Sequence, residues 1–358
     1  MKIEKIEIKN YRNIDSMEIF PCDGVNVIYG ENAQGKTNIL ESIFLFTGLK
    51  SFRSSKDREL VMFGKDFSLL DVNFYSASRV QKASIKITDR RRASLNGVSL
   101  PSPTALMSKF QCALFSPGFL SLIQNGPSER RKFIDSAICQ IHPRYAVMLS
   151  EYNKILKQRN AVLKDSNSIR DTKLFLECIN EAFCTAGENI YRERKAYLEK
   201  ILPFADSIYR GLSSGKEEIS VSYLKKGDGT DSYSFSEILK RHEAADIASG
   251  MTLTGPHRDD IDININGIPA RSFGSQGQKR SAAIALKLAE AQVMKEINGE
   301  QPVILLDDVM SELDDSRQDY ILNHIKDRQV FITCCDPGSV RIMNCGKTFN
   351  ISEGKITG

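Results

Sequence analysis

The chain predicts an α/β fold: a nucleotide-binding domain that is split in the sequence, with a mainly helical lobe inserted into it. Three observations carry this. The apolar run Val25, Val27 and Ile28 leads into a glycine turn at Gly30 and then into helical spacing at Ile39, Leu40, Ile43, Phe44 and Phe46. A second apolar run, Val303 to Leu306, ends in Asp307-Asp308 about 270 residues later, too far for a structureless loop. Between them lie long helical periodicities. The expected boundaries are 1–120 and 245–358 for the split domain and 121–244 for the lobe.

The elements follow in order. Ile3, Ile6 and Ile8 mark a first strand, and Met17, Ile19 and Phe20 lie beyond a turn at Asn13 to Ser16. Strand patterns return from Phe67 to Leu95, closed by the hairpin signal Asn96-Gly97. After Asn125-Gly126-Pro127 helices take over. Phe133, Ala137 and Ile141 share one face, and Tyr145, Leu149, Tyr152, Leu156 and Leu163 continue a second helix. Leu176, Ile179, Phe183, Ala186, Ile190, Tyr197 and Ile201 mark a third, joined to the second through the polar stretch 164–173. Pro203, Ser213-Ser214-Gly215 and Lys225 to Gly229 read as turns and loops around a strand at Glu218 to Tyr223. Ile261, Ile263 and Ile265 form another strand before Asn266-Gly267. A helix then spans 277–298, and QVFITCC is a last buried strand.

The composition, 358 residues with 41% hydrophobic and 26% charged, is that of a globular chain and excludes disordered or collagen-like classes. No run of 18 apolar residues occurs, so no membrane span is expected. The N-terminus lacks an apolar signal region. The eight cysteines, Cys22, Cys112, Cys139, Cys178, Cys184, Cys334, Cys335 and Cys345, form no CxxC pair, which points to reduced thiols and a cytoplasmic protein.

The chemistry resides in Gly30-Glu31-Asn32-Ala33-Gln34-Gly35-Lys36-Thr37, which matches G-x-x-x-x-G-K-[ST]. Glycines let successive N–H groups point at phosphate oxygens, and the following helix adds its N-terminal dipole. Lys36 is expected to reach the β- and γ-phosphates of ATP and the Thr37 hydroxyl to bind Mg2+, with Asn38 counted among the nucleotide-binding residues. Asp307 is expected to hold the same ion through water, and Asp308 to polarise the attacking water. Ser275-Gln276-Gly277-Gln278 opens the helix before the acidic strand, where hydroxyl and N–H donors can meet an anion; the plainer reading is a helix cap.

The order glycine loop, S-x-G-Q, acidic strand, then Ser311-Glu312-Leu313-Asp314 resembles the ABC-type ATPases. Asn10-Tyr11-Arg12-Asn13, GENAQGKTNILESI (30–43), TGPHRDD (254–260), GSQGQKRSAAIALKLAE (274–290) and LLDDVMSELD (305–314) together resemble the RecF family, bacterial recombination mediators related to the SMC and ABC ATPases. ASLNGV (93–98) and FSPGFLSLIQNGPSERRKFID (115–135) add to the likeness, although Gly118 stands where an acid usually follows the proline. The resemblance implies an ABC-type ATPase head with Arg12 near the phosphates, Thr333 at the switch position and Asp314 in a loop at a dimer interface. It implies an ATP-dependent homodimer in which Ser275 of one copy caps the nucleotide of the other. It also implies slow DNA-stimulated hydrolysis, single-stranded, double-stranded, gapped or junction DNA as ligand, and RecO and RecR as partners. The setting it implies is recombinase loading, replication restart and the SOS response.

The net charge of +4 conceals an uneven distribution. Residues 50–92 hold eleven Lys or Arg against five Asp or Glu. Arg90, Arg91 and Arg92, and then Arg130, Arg131 and Lys132, are candidate phosphate contacts; a solvated face is the alternative for each. The four histidines have no metal-ligand spacing, and His257 is expected to support its loop. Three other readings remain open on sequence grounds: a generic ABC-type ATPase subunit, a non-hydrolysing structural DNA-binding protein, and an ATPase–nuclease, which would need a further acidic domain.

Overall fold

The computed structural model describes residues 1–53, 56–164, 169–227, 234–336 and 346–357. Cys345, residues 165–168 of the polar connection, and Asp228-Gly229 of the expected turn lie outside them. The chain divides into two compact units, Met1–Leu120 with Ala283–Gly358, and Ser121–Ala282.

The first unit holds two sheets. An antiparallel one has the order Ile14–Ile19, Lys2–Tyr11, Ser68–Ser76, Arg79–Ile87, Arg91–Leu95, Val98–Ser99. Its strands alternate, with Ile6, Ile8, Leu70, Val72, Ile85 and Ile87 buried, as a sheet with one wet face must. The other sheet runs Cys112–Phe115, Val303–Asp307, Val330–Cys334, Val25–Tyr29, Gly346–Ser352, all parallel, with Lys355–Ile356 antiparallel at its edge. Its central strands are apolar throughout because both faces are covered: every residue from Val303 to Asp307 and from Val330 to Cys334 is buried. The helix Lys36–Leu45 contributes Ile39, Leu40, Ile43 and Phe44 to one core that includes Ile8 and Leu70 of one sheet and Ile28, Leu305 and Phe331 of the other. Register places Asp307 beside Thr333, and Cys334 beside Tyr29. The loop and the acids therefore emerge at the same carboxyl edge, where open parallel sheets bind ligands.

The second unit is built from helices Pro127–Ile141, Pro143–Lys164, Ile169–Leu212 and Phe235–Ser249, with a small antiparallel sheet ordered Ile268–Pro269, Asp260–Ile265, Ile219–Leu224. Three features depart from expectation. The third helix passes through Pro203 instead of stopping there, because the buried face Ile201, Ala205 and Tyr209 continues beyond it while Pro203 itself is exposed. Burial outweighs the penalty of about 3 kcal/mol for an interior proline. The helix Phe235–Ser249 replaces an expected loop. Its start is a capping box: the Glu237 amide donates to Ser234 Oγ, and the Ser234 amide to the Glu237 carboxylate. The boundary expected at 245 falls at Ala282 instead. Asp260–Ile265 pairs with Ile219–Leu224 along its whole length, and the Asp260 carboxylate binds Arg130, so 245–282 is tied to the lobe.

Candidate functional site

The phosphate loop is shaped by backbone that side chains would block. Gly30 has φ of 147°, and a Cβ there would strike the Ile351 carbonyl. Gly35, φ 113°, caps the helix, and a Cβ would lie 2.8 Å from Asn13 Oδ1. Lys36 is buried, its ammonium donating to the carbonyls of Gly30 at 2.5 Å and Glu31 at 2.9 Å. Those carbonyls curl the loop around the charge that phosphate oxygens would meet. Asn32 accepts from Cys335 Sγ at 3.2 Å, and Ala33 takes a left-handed φ of 66°. Gln34 is held from outside the loop, its carbonyl accepting from the Gly354 amide at 3.0 Å and its side chain from the Glu353 amide at 2.6 Å.

The acidic strand meets the loop directly. Thr37 Oγ1 donates to Asp307 Oδ1 at 2.7 Å, and Thr333 Oγ1 donates to the same oxygen at 2.9 Å. Burial pushes the Asp307 carboxyl above its usual range, opposed by those two hydroxyls. Hydroxyl and carboxylate are hard oxygen donors, the set Mg2+ takes when phosphates and water complete its shell. Among the described residues no group of three or more His, Cys, Asp or Glu could hold a metal. Asp308 sits in left-handed backbone, φ 56°, and its amide donates to Thr333 Oγ1 at 2.9 Å. Thr333 thus ties the two acids together. A cleft of about 300 Å³ is lined by residues 32–38 together with Asn13, Arg53, Asp308 and Thr333.

Arg12, which the resemblance puts near the phosphates, is bound to the helix Lys36–Leu45. Its Nε and Nη2 form a bidentate pair with the buried Glu41 carboxylate at 3.0 and 2.8 Å, and Nη1 reaches the Glu59 carbonyl. A buried carboxylate needs such a partner, and it holds the guanidinium. Asn13 and Arg53 are the residues that sequence reasoning missed. Asn13 Nδ2 donates to the Gln34 carbonyl at 3.1 Å, and Arg53 Nη1 to Asn38 Oδ1 at 2.6 Å. Arg53 follows the helix in an irregular segment, and no periodic pattern marks it.

The signature segment lies in the other unit. Ser275 is exposed and caps the helix Gln276–Asn298: its Oγ accepts from the Gln278 amide at 3.2 Å, and its amide donates to Gln278 Oε1 at 2.7 Å. Gln278 Nε2 also reaches Glu217, and Gln124 donates to Gln276 Oε1. Gly277 lies in the first turn. Asp314 caps the helix Asp315–Ile325 by accepting from the Arg317 amide at 3.0 Å. Hydrogen bonding from Ser316, with Arg317, lowers its carboxyl to about 2. Within one chain both Ser275 and Asp314 serve as caps.

The basic clusters separate by burial. Arg91 pairs with Asp57 at 2.9 Å and donates to the Leu49 carbonyl, and its side chain is 7% exposed. Arg130 is buried, bidentate on Asp260 and bonded to the carbonyls of Leu122 and Asn125. Arg131 donates to the Asp259 carbonyl at 2.6 Å. These three brace the fold. Arg90, Arg92 and Lys132 are exposed. His257 shares a 2.6 Å hydrogen bond with Tyr152, and burial lowers its pKa to about 4, which fits loop support. No helix among the described residues is long and apolar enough to cross a membrane.

A family model described as the RecF/RecN/SMC N terminal domain matches residues 2–356. The DNA replication and repair protein RecF of Clostridium acetobutylicum is 39% identical over 362 residues, covering 99% of each chain. That of Lachnospira eligens is 38% identical over 362 residues, again covering 99% of each. A solved structure of the recombination mediator protein RecF with ATP, from the RecFOR pathway, superposes with a TM-score of 0.89 at 36% identity, covering 99% of this chain and 97% of that one. An Smc head bound to the C-winged helix domain of ScpA shares the fold, with a TM-score of 0.57 at 17% identity. The carboxyl-edge cleft, the split ATPase fold and these likenesses converge: the chain belongs to the RecF family of DNA replication and repair proteins, within the SMC-type ATPases.

Proposed function

We propose that the chain is an ATP-dependent DNA-binding recombination and repair protein in which ATP acts as a dimerisation switch. The observation that carries this reading is the meeting of Thr37, Asp307 and Thr333 on one carboxylate oxygen, beside the phosphate loop and Asp308. Lys36 binds the β- and γ-phosphates once they displace it from the Gly30 and Glu31 carbonyls. Thr37 and Asp307 would hold Mg2+, which would supply charge neutralisation for the triphosphate. Asp308 takes up a proton from the attacking water or orients it. Its left-handed backbone costs about 1 kcal/mol or more, a strain that Thr333 and the strand end offset. Ser275 and the segment through Gln278 face the γ-phosphate held by a second copy, so that two nucleotides lie between two heads. Slow, DNA-stimulated hydrolysis reopens the pair.

The ligand is single-stranded, double-stranded or gapped DNA and its junctions, the protein partners are RecO and RecR, and the setting is the cytoplasm. The relatives' place in a RecFOR pathway supports the partners. The test measures fluorescent ATP-analogue binding and phosphate release with and without gapped DNA, for the natural chain and for Lys36→Ala. Nucleotide binding lost in Lys36→Ala, with DNA-stimulated release in the natural chain, is the expected outcome. Equal binding by both proteins would remove the loop from the mechanism, and release indifferent to DNA would remove the coupling.

A further inference from the structure

We infer that Glu41 is a positioning residue for the nucleotide cleft: it anchors Ser51, and Ser51 sets Arg53 against the phosphate loop. The inference rests on the ATP-binding reading above, and adds residues outside the loop and the acidic strand. Glu41 lies one turn beyond Thr37 on the helix Lys36–Leu45 and is fully buried. Its oxygens accept from Arg12 Nε at 3.0 Å, Arg12 Nη2 at 2.8 Å and Ser51 Oγ at 2.5 Å. Burial opposes its ionisation, yet Arg12 and Ser51 hold its carboxyl below the usual range, so it stays a full anionic acceptor.

The connection continues to the cleft. Ser51 Oγ accepts from the Arg53 amide at 2.9 Å. Arg53 Nη1 donates to Asn38 Oδ1 at 2.6 Å, and Asn38 Nδ2 donates to Asn13 Oδ1 at 2.8 Å. Asn13 is the neighbour of Arg12, so the hydrogen bonds close a circuit around the start of the helix. Asn13, Asn38 and Arg53 line the cleft, while Arg12, Glu41 and Ser51 do not. The circuit therefore has a buried ionic half and a cleft half. The segment that carries Arg53 is irregular and has no ladder to hold it, so the Ser51 hydroxyl supplies the local constraint. Arg12 is the counter-ion of this anchor, and the triphosphate is the ligand that a fixed Arg53 guanidinium suits.

A double-mutant cycle tests this on the full chain, with ATP-analogue affinity and steady-state kcat and KM read for Ser51→Ala, Arg53→Ala and the double variant, and thermal melts for each. Ser51→Ala is expected to lower kcat/KM about tenfold, and to have no further effect once Arg53 is alanine. Ser51→Thr should restore activity by restoring the hydroxyl. Glu41→Gln should reproduce Ser51→Ala where it folds. Additive losses in the double variant, or a normal kcat/KM in a folded Ser51→Ala protein, would overturn the relay. A natural chain that binds no ATP would overturn the nucleotide reading instead, so the two failures are distinct.

Discussion

Asp307 is a buried carboxylate whose two hydroxyl donors do not fully offset its loss of water. Its pKa is raised on folding, so the ionised form subtracts stability at neutral pH, and the penalty fades as pH falls through the folded value towards the unfolded one. Asparagine in its place keeps an oxygen that accepts from Thr37 and Thr333 and removes the charge. Asp307→Asn is therefore expected to melt a few degrees higher without nucleotide or Mg2+, and to lose Mg2+-dependent hydrolysis. Calorimetry and phosphate release check both halves; a lower melting temperature would show that the charge itself holds the strand end. Glu41 has the opposite sign. Its pKa is lowered, so its stabilisation is present above the unfolded value and is lost as pH falls through the folded one. Arg130 differs from both: its guanidinium is buried while the Asp260 carboxylate is partly exposed, so removing it loses the ion pair and the bonds to the Leu122 and Asn125 carbonyls. Arg130→Ala is expected to cost about 2 kcal/mol in denaturant titrations, through lost hydrogen bonds and packing of the buried guanidinium.

At the scale of elements, the antiparallel sheet aligns charge that the sequence scatters. Lys9, Leu69, Lys86 and Arg92 stand in one cross-strand row, and Lys9, Lys86 and Arg92 are exposed. The row holds three cations without an acid between them, a spacing that can track phosphates. Lys86→Glu with Arg92→Glu is expected to weaken DNA binding and to flatten the slope of log affinity against log salt by about 2, roughly one unit per phosphate contact. An unchanged slope would place DNA elsewhere. Arg92 is visible in the sequence as part of a basic run, but its partners Lys9 and Lys86 become neighbours only through register. The same limit explains the rest. The loop, the helix Lys36–Leu45 and the apolar strands before Asp307 and through Thr333 are legible because local period and local chemistry agree. Arg12 is put near the phosphates by the resemblance alone, and its pairing with Glu41 is not legible because Glu41 is distant in sequence and buried by tertiary packing. Arg91 and Arg130 read as free charges for the same reason. The helix Phe235–Ser249 has a local signal, Ser234 and Glu237 at capping-box spacing, hidden by surrounding polar turns. Asp314 also has a local role, and Asp314→Asn separates it from an interfacial one. Asparagine caps as well as aspartate, so ATP-dependent association preserved in that variant would leave the cap as the whole role, and its loss would require the charge.

For the whole molecule, the decisive prediction concerns Ser275. The phosphate loop and Ser275 belong to different compact units, and within its own unit Ser275 is exposed and occupied only as a cap. A cap needs one acceptor oxygen, and its removal costs about 1 kcal/mol without touching the phosphate loop. Closing a nucleotide between two heads needs more: the hydroxyl and the first amides of Gln276–Asn298 must approach a γ-phosphate, and a bulky cation there blocks that approach. Ser275→Arg is accordingly expected to bind ATP with natural affinity, to melt near the natural temperature, and to stay at single-chain mass in light scattering with saturating ATP. The natural chain should double its mass under the same conditions. Asp308→Asn tests the opposite end of the proposed cycle, since it is expected to keep ATP bound while removing the carboxylate proposed to handle the water. That variant should remain doubled long after the natural protein has returned to single-chain mass. Mass doubling by Ser275→Arg would exclude the sandwich even with both ATP sites filled, and natural turnover by Asp308→Asn would move the catalytic role to another residue of the cleft. With both expected results, ATP binding, closure and hydrolysis become separable steps carried by Lys36, Ser275 and Asp308 in turn.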